Sequence, residues 1–179
     1  MTKTAAAYGN GLYELAAEEN ICDEILSEVG AVDKILRDNP DYLRILSENS
    51  IPKQERFKLI DDAFSGKINK YLLNFMKILF EKGYIRDFSG CARQYVIRYN
   101  EANGISEAVV TSAVELDELQ KEALIRKLET ISGRKIILKE RIDRSIVAGL
   151  KVEMDGIQYD GSASGRLKTI RKNVSDIIV

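Results

Sequence analysis

The chain has 179 residues, of which 45% are hydrophobic, and its formal net charge is -1 at neutral pH. This hydrophobic content is sufficient for a packed core, and the near-zero charge argues against a protein that follows a nucleic-acid backbone. Histidine is absent, which excludes histidine-activated nucleophiles and histidine metal sites. Because no phosphate-binding loop motif occurs either, the sequence predicts a non-catalytic protein with no cofactor, metal or small-molecule substrate.

No targeting or membrane-spanning segment is evident. The apolar runs are shorter than the roughly 20 residues that a membrane-spanning helix needs. The N-terminal stretch MTKTAAAYGNGLYELA carries a single lysine and no continuous apolar region, unlike a signal peptide or an organelle transit peptide. We therefore expect no direct membrane insertion and no export. Cys22 and Cys91 lie in helical apolar patterns and are predicted to be buried thiols.

Residues 1–104 predict six helices, because apolar residues recur at spacings of three and four. Asn39 and Pro40 resemble a helix cap followed by a first-turn proline, and Pro52 opens the next helix. Gly66 and Gly83 are placed to end the fourth and fifth helices. The connections are short, which favours antiparallel neighbours in a compact bundle.

The fifth predicted helix is apolar over an unusually wide arc. Its polar residues share one narrow arc, whereas about 220° of its surface is apolar and a peripheral helix needs only about 100°. Two interpretations stay open: the helix is buried on several sides, or one side offers a groove to a partner helix. The first helix shows a milder excess, and its Gly9 and Gly11 mark either tolerated surface positions or a close approach of a partner.

Residues 105–179 predict a small α+β domain. Residues 105–114 and 135–142 are typical of strands, and the helix between them begins at Asp117, with Gln120 completing a capping box. Gly133 is placed to end that helix. Its predicted buried stripe consists of Leu124, Leu128 and Ile131. The predicted fold class is therefore mostly α, with an N-terminal six-helix bundle followed by this smaller domain.

A hairpin and a final helix are predicted to complete the chain. Asp155-Gly156 is typical of a two-residue hairpin loop, and the alternation of Leu150, Val152 and Met154 with charged residues predicts a half-buried strand before it. After Asp160-Gly161, an amphipathic helix is predicted, with the stripe Leu167, Ile170, Val174 and Ile177.

The stretch RIDRSIVAGLKVEMDGIQYDGSASGRLKTI, residues 141–170, contains the pattern I-D-x-S-[IV]-x-[AG]-G, followed by D-G-S and [RK]-L. This pattern resembles the C-terminal signature of the ATP synthase delta subunit family, whose mitochondrial version is the oligomycin-sensitivity-conferring protein. The likeness extends to the N-terminal pattern A-x-x-Y-x-x-x-L-[FY]-x-[LF]-A, which begins at Ala5. One departure is Gly83-Tyr84-Ile85, where family members often have Gly-Arg-Leu; another is the tight hairpin tip at Asp155-Gly156, where many relatives have a Gly-Asp pair.

The resemblance implies a stator subunit of the rotary proton-translocating ATP synthase. Such a subunit links the catalytic head to the peripheral stalk and resists rotor torque, at the cytoplasmic face of the bacterial inner membrane. Residues 1–104 would receive the N-terminal helix of an alpha subunit between the first and fifth helices, and residues 105–179 would contact the peripheral-stalk b subunits. No nucleic-acid partner is implied.

The candidate site residues follow from the resemblance together with the two unusual helices. Those expected in the groove for the alpha-subunit helix are Tyr8, Gly11, Leu12, Leu15, Phe75, Ile78 and Leu79. A weaker candidate contact with the stalk consists of Arg166, Lys168 and Arg171, which the pattern alone interprets as a solvated helix face. The signature residues interpreted as turn and cap positions are Asp143, Ser145, Gly149, Asp160 and Gly161.

Two alternatives do not depend on the resemblance. The helical part could be an adaptor or RNA-binding bundle of the antitermination-factor kind, but that function requires a basic stripe able to contact several phosphates, and the first helix ends in Glu18-Glu19. A small carboxylate-dependent enzyme would require acidic residues that converge in a pocket, and the sequence contains no obvious cluster of them.

Overall fold

The computed structural model describes residues 2–48, 51–147 and 149–161. The chain divides into two compact units, and the second begins at Glu101. The first unit contains the helices α1 (Lys3–Glu18), α2 (Cys22–Asp38), α3 (Pro40–Leu46), α4 (Lys53–Phe64), α5 (Lys70–Glu81) and α6 (Phe88–Ala102), with a short 3-10 helix, η1 (Ile85–Asp87), before the last. The last two residues of α6 belong to the second unit. The second contains β1 (Ile105–Ser112), α7 (Glu118–Ser132), β2 (Lys135–Ile142), β3 (Leu150–Met154) and β4 (Ile157–Asp160).

The chain is mostly helical with a four-stranded sheet, as the sequence predicted at this level of detail. Local chemistry explains where several helices begin and end. The Thr2 hydroxyl accepts a hydrogen bond from the Ala5 amide at 3.0 Å at the start of α1. Asn69 caps α5 by accepting from the Tyr71 amide at 2.9 Å, and Gly83, with φ of 78°, follows its end. Among the described helices, none is long and apolar enough to cross a membrane.

One predicted cap is wrong. Pro40 does lie in the first turn of α3, but the Asn39 side chain makes no capping bond to that helix. Its amide group instead donates to the carbonyl oxygen of Ile35 at 2.8 Å and so completes the C-terminal turn of α2. The same asparagine follows one helix and precedes another, and its side chain reinforces the end of α2, where the Ile35 carbonyl also accepts the Asn39 backbone amide at 3.1 Å.

The helices of the first unit share one hydrophobic core. Two tyrosine hydroxyls that reach into it are paired: the Tyr95 hydroxyl donates to the carbonyl oxygen of Cys22 at 2.9 Å, and the Tyr42 hydroxyl donates to that of Leu59 at 3.0 Å. The largest fully buried side chains include Ile25, Leu46, Ile60, Leu72, Met76, Leu79, Phe88 and Tyr95.

The sheet of the second unit has the strand order β2-β1-β3-β4, with β1 and β2 parallel and the other pairs antiparallel. The predicted capping box of α7 is confirmed: the Gln120 amide donates to Asp117 at 2.7 Å, and the Asp117 amide donates to the Gln120 side chain at 3.1 Å. Asp155 and Gly156 have φ of 50° and 77°, as the predicted hairpin turn requires. The buried core residues of this unit are Ala108, Val110, Leu128, Ile136, Val152 and Met154.

The predicted buried stripe of α7 is wrong at Ile131, which is 58% exposed. The residues of α7 that pack on the sheet are Leu124, Ile125 and Leu128. At 100° per residue, Ile131 lies about 70° from the centre of the arc that these three define. The helix is therefore rotated toward Ile125 relative to the predicted orientation.

Candidate partner-binding groove

Helices α1 and α5 run antiparallel in the first unit and are joined by aromatic side chains. Tyr8 contacts Phe75 edge-on, with ring centroids 6.4 Å apart, and Tyr84 at 5.9 Å. Near the other end of α1, the Tyr71 hydroxyl is hydrogen-bonded to the Glu19 carboxylate, and this bond raises the pKa of Tyr71. These contacts fix the two helices side by side at both ends.

An open groove with a volume of about 470 Å³ lies between these two helices. Among the described residues, no charged side chain lines it, and its polar side chains are those of two tyrosines and one asparagine. The lining residues are Ala7, Tyr8, Gly11, Leu12, Leu15, Tyr71, Asn74, Phe75 and Ile78. This groove is the candidate partner-binding site, because a concave apolar surface is what the apolar face of a partner helix requires.

Helical spacing brings the lining residues to the groove. Ala7, Gly11 and Leu15 are four residues apart on α1, and Tyr71, Phe75 and Ile78 follow at spacings of four and three on α5. The floor is formed by Leu12 and Phe75, which are 3% and 7% exposed, whereas the wall residue Ile78 is 46% exposed. A solvent-exposed isoleucine beside an apolar floor gives a partner a large area to cover.

Gly11 keeps the groove open at its centre. A Cβ atom at Gly11 would have no atom within 4 Å. The glycine therefore contributes space and exposed backbone to the groove.

The other glycine of α1 has the opposite environment. A Cβ at Gly9 would lie 2.5 Å from the Cys91 carbonyl oxygen and 2.6 Å from the Gln94 Cβ, both on α6. A Cβ at Gly90 would in turn lie 2.9 Å from the Ala5 Cβ. Gly9 and Gly90 therefore allow α1 and α6 to pack closely against each other inside the unit.

Six of the seven residues predicted for the groove line it, namely Tyr8, Gly11, Leu12, Leu15, Phe75 and Ile78. Leu79 requires correction: its side chain is 0% exposed and belongs to the core, because it lies about 100° around α5 from Ile78, on the side that packs against the other helices of the unit. The sequence interpretation missed Ala7, Tyr71 and Asn74. Ala7 and Tyr71 lie four residues before Gly11 and Phe75, so the helical repeat was a usable signal for both.

The signature residues of the second unit occupy turns and strand ends. Asp143 accepts hydrogen bonds from the Ser145 amide at 2.9 Å and the Ser145 hydroxyl at 2.6 Å, and these bonds lower the pKa of Asp143. Gly149 has φ of 84°, which favours glycine. Asp160 ends β4 opposite Lys151, and the Gly161 amide donates to the carbonyl oxygen of Leu150 at 3.0 Å. Arg166, Lys168, Arg171 and the predicted final helix lie outside the described residues.

Metal or catalytic chemistry finds little support in the part of the chain that the structure describes. No group of three or more cysteine, aspartate or glutamate side chains there could hold a metal ion. Cys91 is fully buried, and burial raises the pKa of its thiol to about 12, which disfavours the reactive thiolate.

Comparison with known proteins decides the family. The model of the ATP synthase delta (OSCP) subunit family matches residues 4–174. The chain belongs to this family. It is similar to the ATP synthase subunit delta of Lachnoclostridium phytofermentans, with 30% identity over 95% of this chain and 94% of that protein. It is also similar to that of Clostridium botulinum strain Langeland, with 33% identity over 92% of each.

The fold agrees with this assignment. A chain in the structure of the Toxoplasma gondii mitochondrial ATP synthase hexamer superposes with a TM-score of 0.72, covering 97% of this chain and 98% of that chain at 15% identity. Membership of the delta (OSCP) family makes the protein a non-catalytic subunit of ATP synthase, a stator component that belongs with the peripheral stalk. The adaptor and enzyme alternatives are therefore set aside.

Proposed function

We propose that the groove between α1 and α5 binds the N-terminal helix of an ATP synthase alpha subunit. Residues 1–104, which we propose form a six-helix bundle, would thereby attach to the catalytic head, and residues 105–179 would contact the peripheral-stalk b subunits. The protein would then transmit the stalk's resistance to the head while the rotor turns. We place it at the cytoplasmic face of a bacterial inner membrane, held there by the complex.

The observation that carries this proposal is an open groove without charged lining between two packed helices. Its lining on α1 extends from Ala7 to Leu15, which is about 12 Å at 1.5 Å per residue and matches about two turns of a partner helix. Such a partner would place apolar residues at spacings of three, four and seven on the groove. The partner's apolar face and the exposed Ile78 would be removed from water together.

The groove chemistry suits a connector under torque. Apolar contacts that are desolvated at the centre of an interface contribute most of the binding energy and slow dissociation. Charged residues at the rim would set orientation and encounter rate instead. Glu19 and Lys70 are such rim residues, because both contact the groove residue Tyr71. The Glu19 carboxylate accepts a hydrogen bond from the Tyr71 hydroxyl, and the Lys70 ammonium lies 4.9 Å from the centre of the Tyr71 ring.

The test is calorimetric titration with a peptide that covers the first 20 or so residues of the same organism's alpha subunit, long enough to span the groove. We expect one-to-one binding with a negative heat-capacity change, the mark of apolar burial. Gly11→Asp should abolish the binding by placing a charged side chain in the groove. Gly30→Asp is the matched control, because a Cβ at Gly30 in α2 also has no atom within 4 Å and Gly30 does not line the groove. Wild-type affinity in Gly11→Asp would contradict the proposed site.

The stalk contact is tested separately. Replacing Arg166, Lys168 and Arg171 by glutamate should weaken binding to the C-terminal region of the b subunits, and the loss should shrink as salt is added. Lys127→Glu is a control on the exposed surface of α7. Equal binding by the triple variant and the control would mean that these three residues are ordinary solvated surface and do not contact the b subunits.

A further inference from the structure

A second cavity opens near the C-terminal end of α5, on residues that do not line the groove. It has a volume of about 420 Å³ and lies among the end of α3, the first turn of α4, the end of α5 and η1. All its lining residues belong to the first unit. They are Leu46, Ser47, Lys53, Arg56, Phe80, Glu81, Gly83, Ile85 and Arg86. We refer to it as the basic pocket.

The basic pocket carries an excess of positive charge. Its lining includes the cations Lys53, Arg56 and Arg86 against the single carboxylate Glu81. Lys53 donates a hydrogen bond to Glu81 at 2.6 Å, and this bond lowers the pKa of Glu81, so the carboxylate stays ionised and neutralises one of the three cations. Among the described residues that line the pocket, the two guanidinium groups have no further acidic partner.

Arg56 is held in the pocket with a buried donor that has no partner among the described residues. Its Nη1 donates to the carbonyl oxygen of Leu46 at 3.1 Å, and its guanidinium lies 5.0 Å from the centre of the Phe80 ring. Its Nε is buried and has no hydrogen-bond partner among the described residues. A buried N–H group without an acceptor is unfavourable, so an oxygen-bearing ligand that supplied the acceptor would be favoured there.

We propose that the basic pocket binds a phosphate group. Guanidinium forks bind phosphate and carboxylate oxygens in pairs, and the charge balance separates these two ligands. The net excess of two positive charges matches a doubly charged phosphate, whereas a carboxylate would leave one cation uncompensated. This site goes beyond the proposed function, because it lies apart from the groove and does not require a protein partner.

The first experiment is titration of the intact protein with inorganic phosphate, by calorimetry, with chloride exchanged so that ionic strength stays constant. We expect saturable one-to-one binding. Arg86→Gln, at an exposed position, should weaken it about tenfold because one charge-assisted contact is lost. Arg56→Lys should weaken it by a similar factor, since it keeps the charge but loses the fork and the Nε donor. Arg93→Gln on α6 is the matched control: it makes the same charge change at an exposed residue that does not line the pocket.

A second titration distinguishes the source of the phosphate group. ATP without divalent metal is compared with inorganic phosphate on the same variants. Binding of ATP at least about tenfold tighter than that of phosphate, and weakened in Arg86→Gln, would support a nucleotide as the ligand. Equal or weaker binding of ATP, with phosphate binding weakened in Arg86→Gln, would support free phosphate.

Other outcomes would overturn the proposal. Heats no greater than those given by chloride, or an equal loss of binding in Arg93→Gln, would show a general charge effect and no built site. The alpha-subunit peptide should bind Arg86→Gln as it binds the wild type, so failure of the pocket and failure of the groove are distinguishable. The midpoint of thermal unfolding without phosphate checks that each variant is folded.

Discussion

The two sides of α1 differ in how completely the protein fills them. On the side facing α6, the helices approach so closely that a Cβ at Gly9 would lie 2.5 Å from a backbone oxygen. On the side facing α5, a Cβ at Gly11 would meet nothing within 4 Å, and an apolar groove of about 470 Å³ remains open. The protein itself fills the space beside α1 on the α6 side, whereas it leaves an open apolar surface on the α5 side.

The comparison shows how a connector can be both rigid and available. The closed contact includes Gly9 and Gly90 as well as the hydrogen bond of 2.9 Å from Gln94 to Asn10, and it fixes the position of α1. Because the contact with α6 fixes α1, the residues Tyr8, Leu12 and Leu15 on its other side are held in a preformed arrangement. Preorganisation lowers the entropy cost of binding, which favours a long-lived complex.

The largest effect is expected from a charge placed on the open side. Ile78→Asp should weaken binding of the alpha-subunit peptide by about a hundredfold, corresponding to about 3 kcal/mol, because a carboxylate would lose its hydration in an apolar interface. Folding should be preserved, since Ile78 is 46% exposed. Calorimetry with the peptide measures the loss.

Ile97→Asp is the matched control for that variant. Ile97 is 36% exposed on α6 and does not line the groove, so the same chemical change should leave peptide affinity unaltered. Equal losses in the two variants would mean that the groove is not the binding site.

A smaller effect is expected from a methyl group placed on the closed side. Gly9→Ala should lower the free energy of unfolding by on the order of 1 kcal/mol, because overpacking costs about 1–3 kcal/mol and the gain in helix propensity returns up to about 1 kcal/mol. Urea denaturation measures the difference. A stabilised Gly9→Ala variant would show that α1 and α6 are not packed as closely as described.

The same substitution on the open side should have the opposite sign. Gly11→Ala should raise the free energy of unfolding by about 0.4–1 kcal/mol, because alanine has fewer unfolded conformations and the added methyl group has space. Gly30→Ala should give a similar gain, since its position is equally open. A destabilised Gly11→Ala beside a stabilised Gly30→Ala would contradict the open groove.

The sequence predicted those features that depend on local chemistry. The capping box at Asp117 and the hairpin at Asp155-Gly156 are confirmed, because each requires only neighbouring residues. The apolar excess of α5 was also visible as a helical pattern. These signals act within a few residues, so a single sequence contains them in full.

Features that depend on neighbouring elements could not be assigned from the sequence. Ile78 and Leu79 are adjacent isoleucine and leucine residues in the same apolar arc, yet one is 46% exposed and the other 0%. Gly9 and Gly11 likewise differ only in whether α6 lies against them. A helical wheel measures the width of an apolar arc, but only the positions of the other helices determine which part of it is core. The groove residues were therefore predictable as a group, but the helical pattern alone could not distinguish the core residue Leu79 from them.

The smallest effect at neutral pH, and the last test of the closed side, concerns Cys91. Burial raises the pKa of its thiol from 9.0 to about 12, so the folded protein favours the neutral thiol. This contribution to stability is complete below pH 9 and is lost as the pH rises from 9 toward 12, because the unfolded chain releases the proton first. Cys91→Ala should therefore lose stability less steeply than the wild type over that interval in urea denaturation at stepwise pH.

Ile25→Val, a buried change without a titrating group, should lower the free energy of unfolding by about 0.5–1.5 kcal/mol at every pH and keep the wild-type slope. Identical slopes for the wild type and Cys91→Ala would mean that water reaches the thiol, and the contact between α1 and α6 would then be less closed than the spacing at Gly9 indicates.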